Sequence, residues 1–232
     1  MATPNLVQTA SNANNAGGTT QNLAFTNNNV AGNMIIVQCT CNSSDTISSP
    51  TDSQGNTYNL IYNDTTAADP RGGAWFAYNI KSGANTVTGH YGGLNNEFTM
   101  IIREYSGVTT KNPLDTFIKA AGNSTAIASG NATPTGSAYR LVIGFGHEGF
   151  GSGQTWAINS TGFGNLVSLS TNGGEGGALM DKIVGVLGTE SAAFTLGTAA
   201  TWIGAVATFL PSGGSFTPRP NRPHMFSPGN AR

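Results

Sequence analysis

Short apolar or alternating runs recur along this chain every ten to fifteen residues or so, separated by clusters of Gly, Asn and Ser. That spacing is the mark of many short strands joined by tight turns, as in a β-sandwich or barrel. The runs that read as strands begin with Leu6–Thr9, Leu23–Thr26, Asn33–Cys41, Thr57–Tyr62, Gly73–Ile80 and Asn85–Tyr91. Phe98–Tyr105, Tyr139–Gly146, Leu179–Leu187 and Thr201–Leu210 complete the set. Phe98–Tyr105 is long and strongly apolar, which places it centrally. The turn Asp52-Ser-Gln-Gly-Asn56 leads into Thr57–Tyr62. Lys81-Ser-Gly83 is expected to join its two neighbours as a hairpin, with Gly supplying a positive φ. Leu179–Leu187 also reads as a short helix, and no other segment combines helical period with capping signals.

Composition agrees with an all-β chain. Of 232 residues, 32 are Gly and only 9% are charged, against about 25% in an ordinary soluble domain. The best helix formers apart from Ala are scarce. A balance of Lys+Arg 10 against Asp+Glu 11 excludes binding to nucleic acid by counterion release and predicts no steering toward membranes. The 38% hydrophobic content, with 11 Phe and 3 Trp, argues for a packed core over disorder. So few charges also leave a surface poorly protected against self-association. No secretory signal and no membrane-length apolar run are visible, so the chain is expected to fold in the cytoplasm, or to leave it by a route the sequence does not show.

Two stretches differ from the body. Ser11–Gln21 is polar and of low complexity, which predicts an exposed loop. Residues 211–232 hold five of the ten prolines and Arg219, Arg222 and Arg232, with no acidic side chain. This tail carries +3, leaving −4 on residues 1–210 out of −1 overall. Its prolines favour an extended polyproline conformation. The expected organisation is therefore one antiparallel β-sandwich domain, 1–210, followed by an extended Pro-rich C-terminal arm, 211–232.

Each motif that carries chemistry has a plainer reading beside it. Cys39 and Cys41 stand two apart, so on a strand they share a face with Ile35 and Val37. A disulfide between them would strain an extended backbone, which predicts two reduced packing cysteines. Gly144-Phe-Gly-His-Glu-Gly149 matches a dinucleotide-binding spacing but opens no helix, and reads as a glycine-rich loop. His90, His147 and His224 lack metal-ligand spacing. Glu97, Glu104, Glu148 and Asp181 are the acids from which a glycoside-cleaving pair would be drawn. Glu104 shares a face with Ile102, so it is expected to point inward, satisfied by backbone or Arg. Asp181 reads as solvated or locally paired. Trp75, Tyr78 and Tyr91, with Phe76, form either a stacking platform for sugars or core cross-strand pairs.

Several phrases in order carry a resemblance. They are Thr51-Asp-Ser-Gln-Gly-Asn-Thr-Tyr58, Ile80-Lys-Ser-Gly-Ala-Asn-Thr-Val87, Arg103-Glu-Tyr-Ser-Gly-Val108 with Pro113-Leu-Asp115, Leu141–Gly146 and Trp202–Pro211. Together they resemble a β-sandwich domain of tailed-bacteriophage virion surface proteins, seen also in bacterial surface proteins. The resemblance spans about Val7–Pro211. It implies a jelly-roll or Ig-like sandwich on a particle surface, with a structural or adhesive role and no catalytic residues to carry over. The expected function is that of a capsid decoration protein or a head or tail surface component, not an enzyme, without cofactor or metal. Its partners would be other virion proteins and copies of itself, not nucleic acid or membrane. Arg219, Arg222, Met225, Phe226 and Arg232 are the expected docking contacts of the arm. The alternative is a carbohydrate- or receptor-binding module using Trp75, Tyr78 and Tyr91.

Overall fold

The computed structural model describes residues 2–42, 46–64, 70–93, 97–135, 139–149 and 153–213. Among them are fourteen strands and no helix, and every pairing is antiparallel. In chain order the first eight are β1 (Asn5–Asn14), β2 (Thr20–Ala24), β3 (Met34–Cys41), β4 (Ile47–Asp52), β5 (Asn59–Asp64), β6 (Arg71–Tyr78), β7 (Thr86–Tyr91) and β8 (Phe98–Ser106). The rest are β9 (Leu114–Ala128), β10 (Arg140–Gly149), β11 (Trp156–Ile158), β12 (Gly164–Ser170), β13 (Gly176–Val184) and β14 (Ala193–Phe209). No helix here is long and apolar enough to cross a membrane.

Three sheets stack. The first runs β1-β8-β3-β6-β5 and a small one runs β2-β7-β4. The second large sheet runs β11-β14-β10-β13-β12, with β9 also on β14. Side chains alternate across β3. Ile35, Val37, Cys39 and Cys41 enter a core shared with Ile47, Val87 and Tyr91 of the small sheet. Met34 and Ile36 enter a second core with Leu141, Ile143, Phe145 and Phe209 of the second sheet. Both faces of the first sheet are thus covered, which is why β3 is buried at every position and β8 at all but its last.

The second sheet curls over itself. Beyond a break in register between Thr195 and Ala200, β14 and the end of β9 fold back. They bring Phe194, Leu196 and Ile127, with Trp156, over Val142, Met180 and Val206. Glycine makes this possible. A Cβ at Gly146 would stand 2.6 Å from the Trp156 ring, and one at Gly144 would stand 2.8 Å from the Ala192 methyl. The Gly144–Gly149 motif is therefore strand throughout, not a loop, with Gly144 making room for a methyl and Gly146 for an indole.

Other expectations change as well. Residues Ser11–Asn14 of the expected polar loop belong to β1, paired with Ile101 through Phe98. An edge strand needs a backbone partner and can leave its side chains polar. Leu179–Leu187 falls in and after strand β13 and is not helical. Lys81–Gly83 does not close a hairpin, because β6 and β7 lie in different sheets. Gly83 does adopt φ 124°, and it bridges Asn29. Cys39 and Cys41 are buried and not joined in a disulfide, as expected, and burial pushes the Cys39 thiol up to about 12. The last backbone ties to the sheets are Pro211 beside Val108 and the Ser212 amide donating to the Gly107 carbonyl.

Gly146→Ala should cost about 1–3 kcal/mol through overpacking against Trp156. It would appear as a lower urea midpoint with an unchanged m-value. An unchanged midpoint would mean that the rings over β10 are not fixed.

Candidate functional site

The chemistry-bearing side chains of the body collect on the first sheet and at its seam with the second. The alternation that sends Met34 and Ile36 toward the second sheet also sends Gln38 and Thr40 there. Gln38 Nε2 donates to the Gly146 carbonyl at 2.7 Å. Thr40 Oγ1 lies 2.7 Å from His147 Nδ1, and Tyr62 Oη lies 2.6 Å from His147 Nε2. A neutral imidazole has one N–H and one lone pair, so one hydroxyl accepts and the other donates. Burial holds the ring neutral, bringing its pKa down to about 3, with the charge of Asp64 pulling weakly the other way. Gly72 lies against the ring, where a Cβ would come within 2.5 Å. Asp64 in turn is paired with Lys119 of β9.

At the other end of the seam Arg103 of β8 is fully buried. Its Nη1 lies 3.4 Å from Asp181 Oδ1 and donates to Tyr105 Oη, also at 3.4 Å. Its Nη2 donates to the Leu179 carbonyl at 3.3 Å and to that of Asn165. Asp181 is thus a buried partner across the seam and not a solvated or locally paired acid. Burial raises its pKa, and the nearby guanidinium only partly offsets this. Asp181 borders a cleft of about 380 Å³ that Asn5, Leu6, Gly164, Asn165 and Lys182 also line.

Glu104 points to the opposite side of the first sheet, inward as expected. Its carboxylate accepts from Gln8 Nε2 at 2.6 Å, Asn29 Nδ2 at 2.7 Å, Asn33 Nδ2 at 2.7 Å and the Val30 amide at 2.9 Å. The donors are three side-chain amides and one backbone group, and the expected Arg is not among them. The cage ties β1 and the 29–33 turn to β8.

The acids named from sequence do not converge. Glu104 and Asp181 lie on opposite sides of the first sheet. Glu148 sits on the far face of β10 over Gly176, and Glu97 packs on Gly173. Glu148 is five register steps from the partner of Asp181, or about 17 Å at ~3.4 Å per residue. A glycoside-cleaving pair needs about 5–9.5 Å. His90 Nε2 meets Thr51 Oγ1 at 2.9 Å on the small sheet. No group of three or more His, Cys, Asp or Glu among the described residues is placed to hold a metal.

The aromatic platform is also divided. Trp75 and Tyr91 are buried in the core under the small sheet. Tyr78 packs on the other face, half-buried, beside the core shared with the second sheet. It opens onto a cleft of about 390 Å³ with Asn56, Thr57, Asn59, Asn79 and Lys81. Asn79, at φ 52°, supplies the turn, and this cleft was not anticipated from the sequence. Arg219, Arg222, Met225, Phe226 and Arg232 of the arm, and His224, lie outside the described residues.

Compared with protein-family models, with curated proteins and with solved structures, the chain matches none. What it does has to be argued from its own geometry.

His147 makes stability depend on pH. Unfolded, it takes a proton near pH 6.5, and folded only near pH 3. Between these values the unfolded chain holds the extra proton, so stability falls as pH falls. Urea unfolding at pH 7 and pH 5 should show the His147→Gln variant losing about 2 kcal/mol less than the parent over this interval. Equal losses in the two proteins would contradict a buried neutral ring.

Proposed function

We propose that this chain is a structural component of a bacteriophage virion surface, a capsid decoration protein or a head or tail surface component. The observation that carries the reading is the strand order. β1-β8-β3-β6 faces β2-β7-β4, which is the order of an eight-stranded jelly roll with β5 shifted to the edge of the first sheet. Jelly rolls build both viral capsids and lectins, so architecture is an analogy and does not by itself choose between them. The buried polar residues favour the mechanical role. Gln38, His147 and Arg103 use their hydrogen bonds to lock one layer to the next, and Glu104 ties β1 and the 29–33 turn to β8, which suits a part that bears load.

The arm follows from its charge and its root. Residues 214–232 continue from a segment tied to Gly107 and to Ala2, whose amide donates to the Ser212 carbonyl. The tail's +3 complements the body's −4, so an arm of one copy is attracted to the body of another or to an acidic neighbour. Proline restricts the free arm, so less freedom is lost when it docks. Arg219, Arg222 and Arg232 would pair with carboxylates, and Met225 and Phe226 would anchor in an apolar recess.

Particles banded on a density gradient should contain the full-length chain by mass spectrometry. A chain ending at Gly213 should fold with an unchanged circular dichroism spectrum and be absent from the particle band. A full-length chain that never bands with particles overturns the virion role. Equal incorporation of both forms overturns the arm.

The cleft at Tyr78 favours a second reading, a carbohydrate-binding module. One aromatic face among three Asn side chains and a Lys is the lining a sugar uses, apolar for a ring face and amide-rich for hydroxyls. On a glycan array this reading expects saturable binding that Tyr78→Ala weakens by about tenfold or more, the effect of roughly 1.4 kcal/mol. Trp75→Ala cannot serve as this test, because emptying the core there costs about 3–5 kcal/mol in folding. An array without signal removes the reading.

A further inference from the structure

Sheet edges present unpaired N–H and C=O groups, and a protein ordinarily guards them with bulges, short length, proline or charge. Most edges here are guarded. β1 bulges at Val7, and β5 bulges between Leu60 and Tyr62. β4 bulges between Ser48 and Thr51 and carries Pro50, and β12 is irregular between Gly164 and Val167. β2 has only five residues.

β9 is shifted in register only toward its ends, beside Asp115 and Thr125, and between them it leaves a longer unbroken edge than β1 does. It has fifteen residues and pairs only with β14 among the described strands. From Thr116 to Ser124 the ladder runs without a register shift against Thr208 to Ala200. No hydrogen bond from another described strand or loop backbone reaches the outer edge of this stretch. It contains no proline, and its only charge, Lys119, is turned to Asp64 of β5. Phe117 is 43% exposed beside it.

We infer that the outer edge of β9 is a strand-pairing surface, and that its occupant is β9 of a second copy, aligned antiparallel about a two-fold axis at Ala120. Outward N–H and C=O groups in alternation are matched only by another extended backbone. The chain's own tail is a poor match, since Pro218, Pro220, Pro223 and Pro228 cannot donate to a ladder. About Ala120 the strand complements itself. Lys119 faces Ala121 of the second copy, Ile118 faces Gly122, and Phe117 faces Asn123. The small residues at the centre admit close approach, and no like charges stand opposite one another. The contact is isologous, so it closes at two copies and joins the six-stranded sheet of each into one. This inference does not rest on the virion role.

The test is sedimentation of the full chain, with two substitutions at the exposed Ala121. The parent should be a dimer that dissociates on dilution. Ala121→Lys sets a lysine opposite Lys119 twice per dimer and should weaken dimerisation by about tenfold or more. Ala121→Glu sets an opposite charge there and should keep or tighten it. Hydrogen exchange of the unmodified chain is the second measurement, with protection of the Thr116–Ser124 amides expected to fall on dilution. A monomeric parent, equal weakening by Lys and Glu, or exchange in β9 that ignores concentration each overturns the inference.

Discussion

Because the first sheet is covered on both faces, a polar side chain on its central strands has no route to water. That constraint organises the polar interior. An unpartnered buried polar group costs about 1–3 kcal/mol, and an uncompensated buried charge costs more. Gln38, Thr40, Arg103 and Glu104 must therefore find partners across a layer boundary or along an edge. They find them at Gly146, His147, Asp181 and the amides of Gln8, Asn29 and Asn33. Each such bond fixes a position that hydrophobic contact alone would leave free to slide. The raised pKa of Asp181 indicates that desolvation outweighs its attraction to Arg103. The pair is thus better understood as specifying how the sheets register than as a net source of stability.

How much of this was legible follows the same division. Asn33–Cys41, Phe98–Tyr105 and Tyr139–Gly146 could be read as strands because double burial makes them apolar almost throughout. β9, β4, β11 and β12 could not. β9 packs one side and shows the other to solvent, and its Lys, Asn, Ser, Thr and Gly look like linker. Glycine misled in a second way. Read as turn punctuation, the motif Gly144–Gly149 suggested a loop overlapping the end of the expected strand Tyr139–Gly146, yet it is strand throughout, with Gly144 and Gly146 under a methyl and an indole. Only spatial neighbours distinguish those two uses of glycine. The inward turn of Glu104 was legible from its alternation with Ile102. Its cage was not, because Gln8 and Asn29 lie 96 and 75 residues away in sequence. Asp181, likewise, could not be matched to Arg103 without the stacking of β13 on β8.

The aromatic residues illustrate the limit of strand parity. Trp75 and Tyr78 stand three apart on β6, so they must face opposite sides of the sheet, and no hairpin brings Tyr91 to Tyr78. Parity alone could have separated Trp75 from Tyr78. The position of Tyr91 required the knowledge that β7 leaves for the small sheet. What remains of a sugar-binding surface is Tyr78 with the turns on either side of it.

The two proposed contacts between copies differ in symmetry, and that difference matters for assembly. Pairing through β9 uses the same patch on both partners and stops at two. An arm that leaves one body and grips a different patch on the next is heterologous, and it propagates unless the geometry closes a ring. A unit with both therefore forms dimers through strand pairing and links the dimers through arms. The strand contact depends on backbone hydrogen bonds and changes little with salt, whereas a +3 arm on a −4 body is screened over about 8–10 Å at moderate ionic strength. Salt should therefore take the assembly apart at the arms first and leave β9-paired dimers behind. A chain with few surface charges then keeps its electrostatic control in the nineteen residues that follow Gly213.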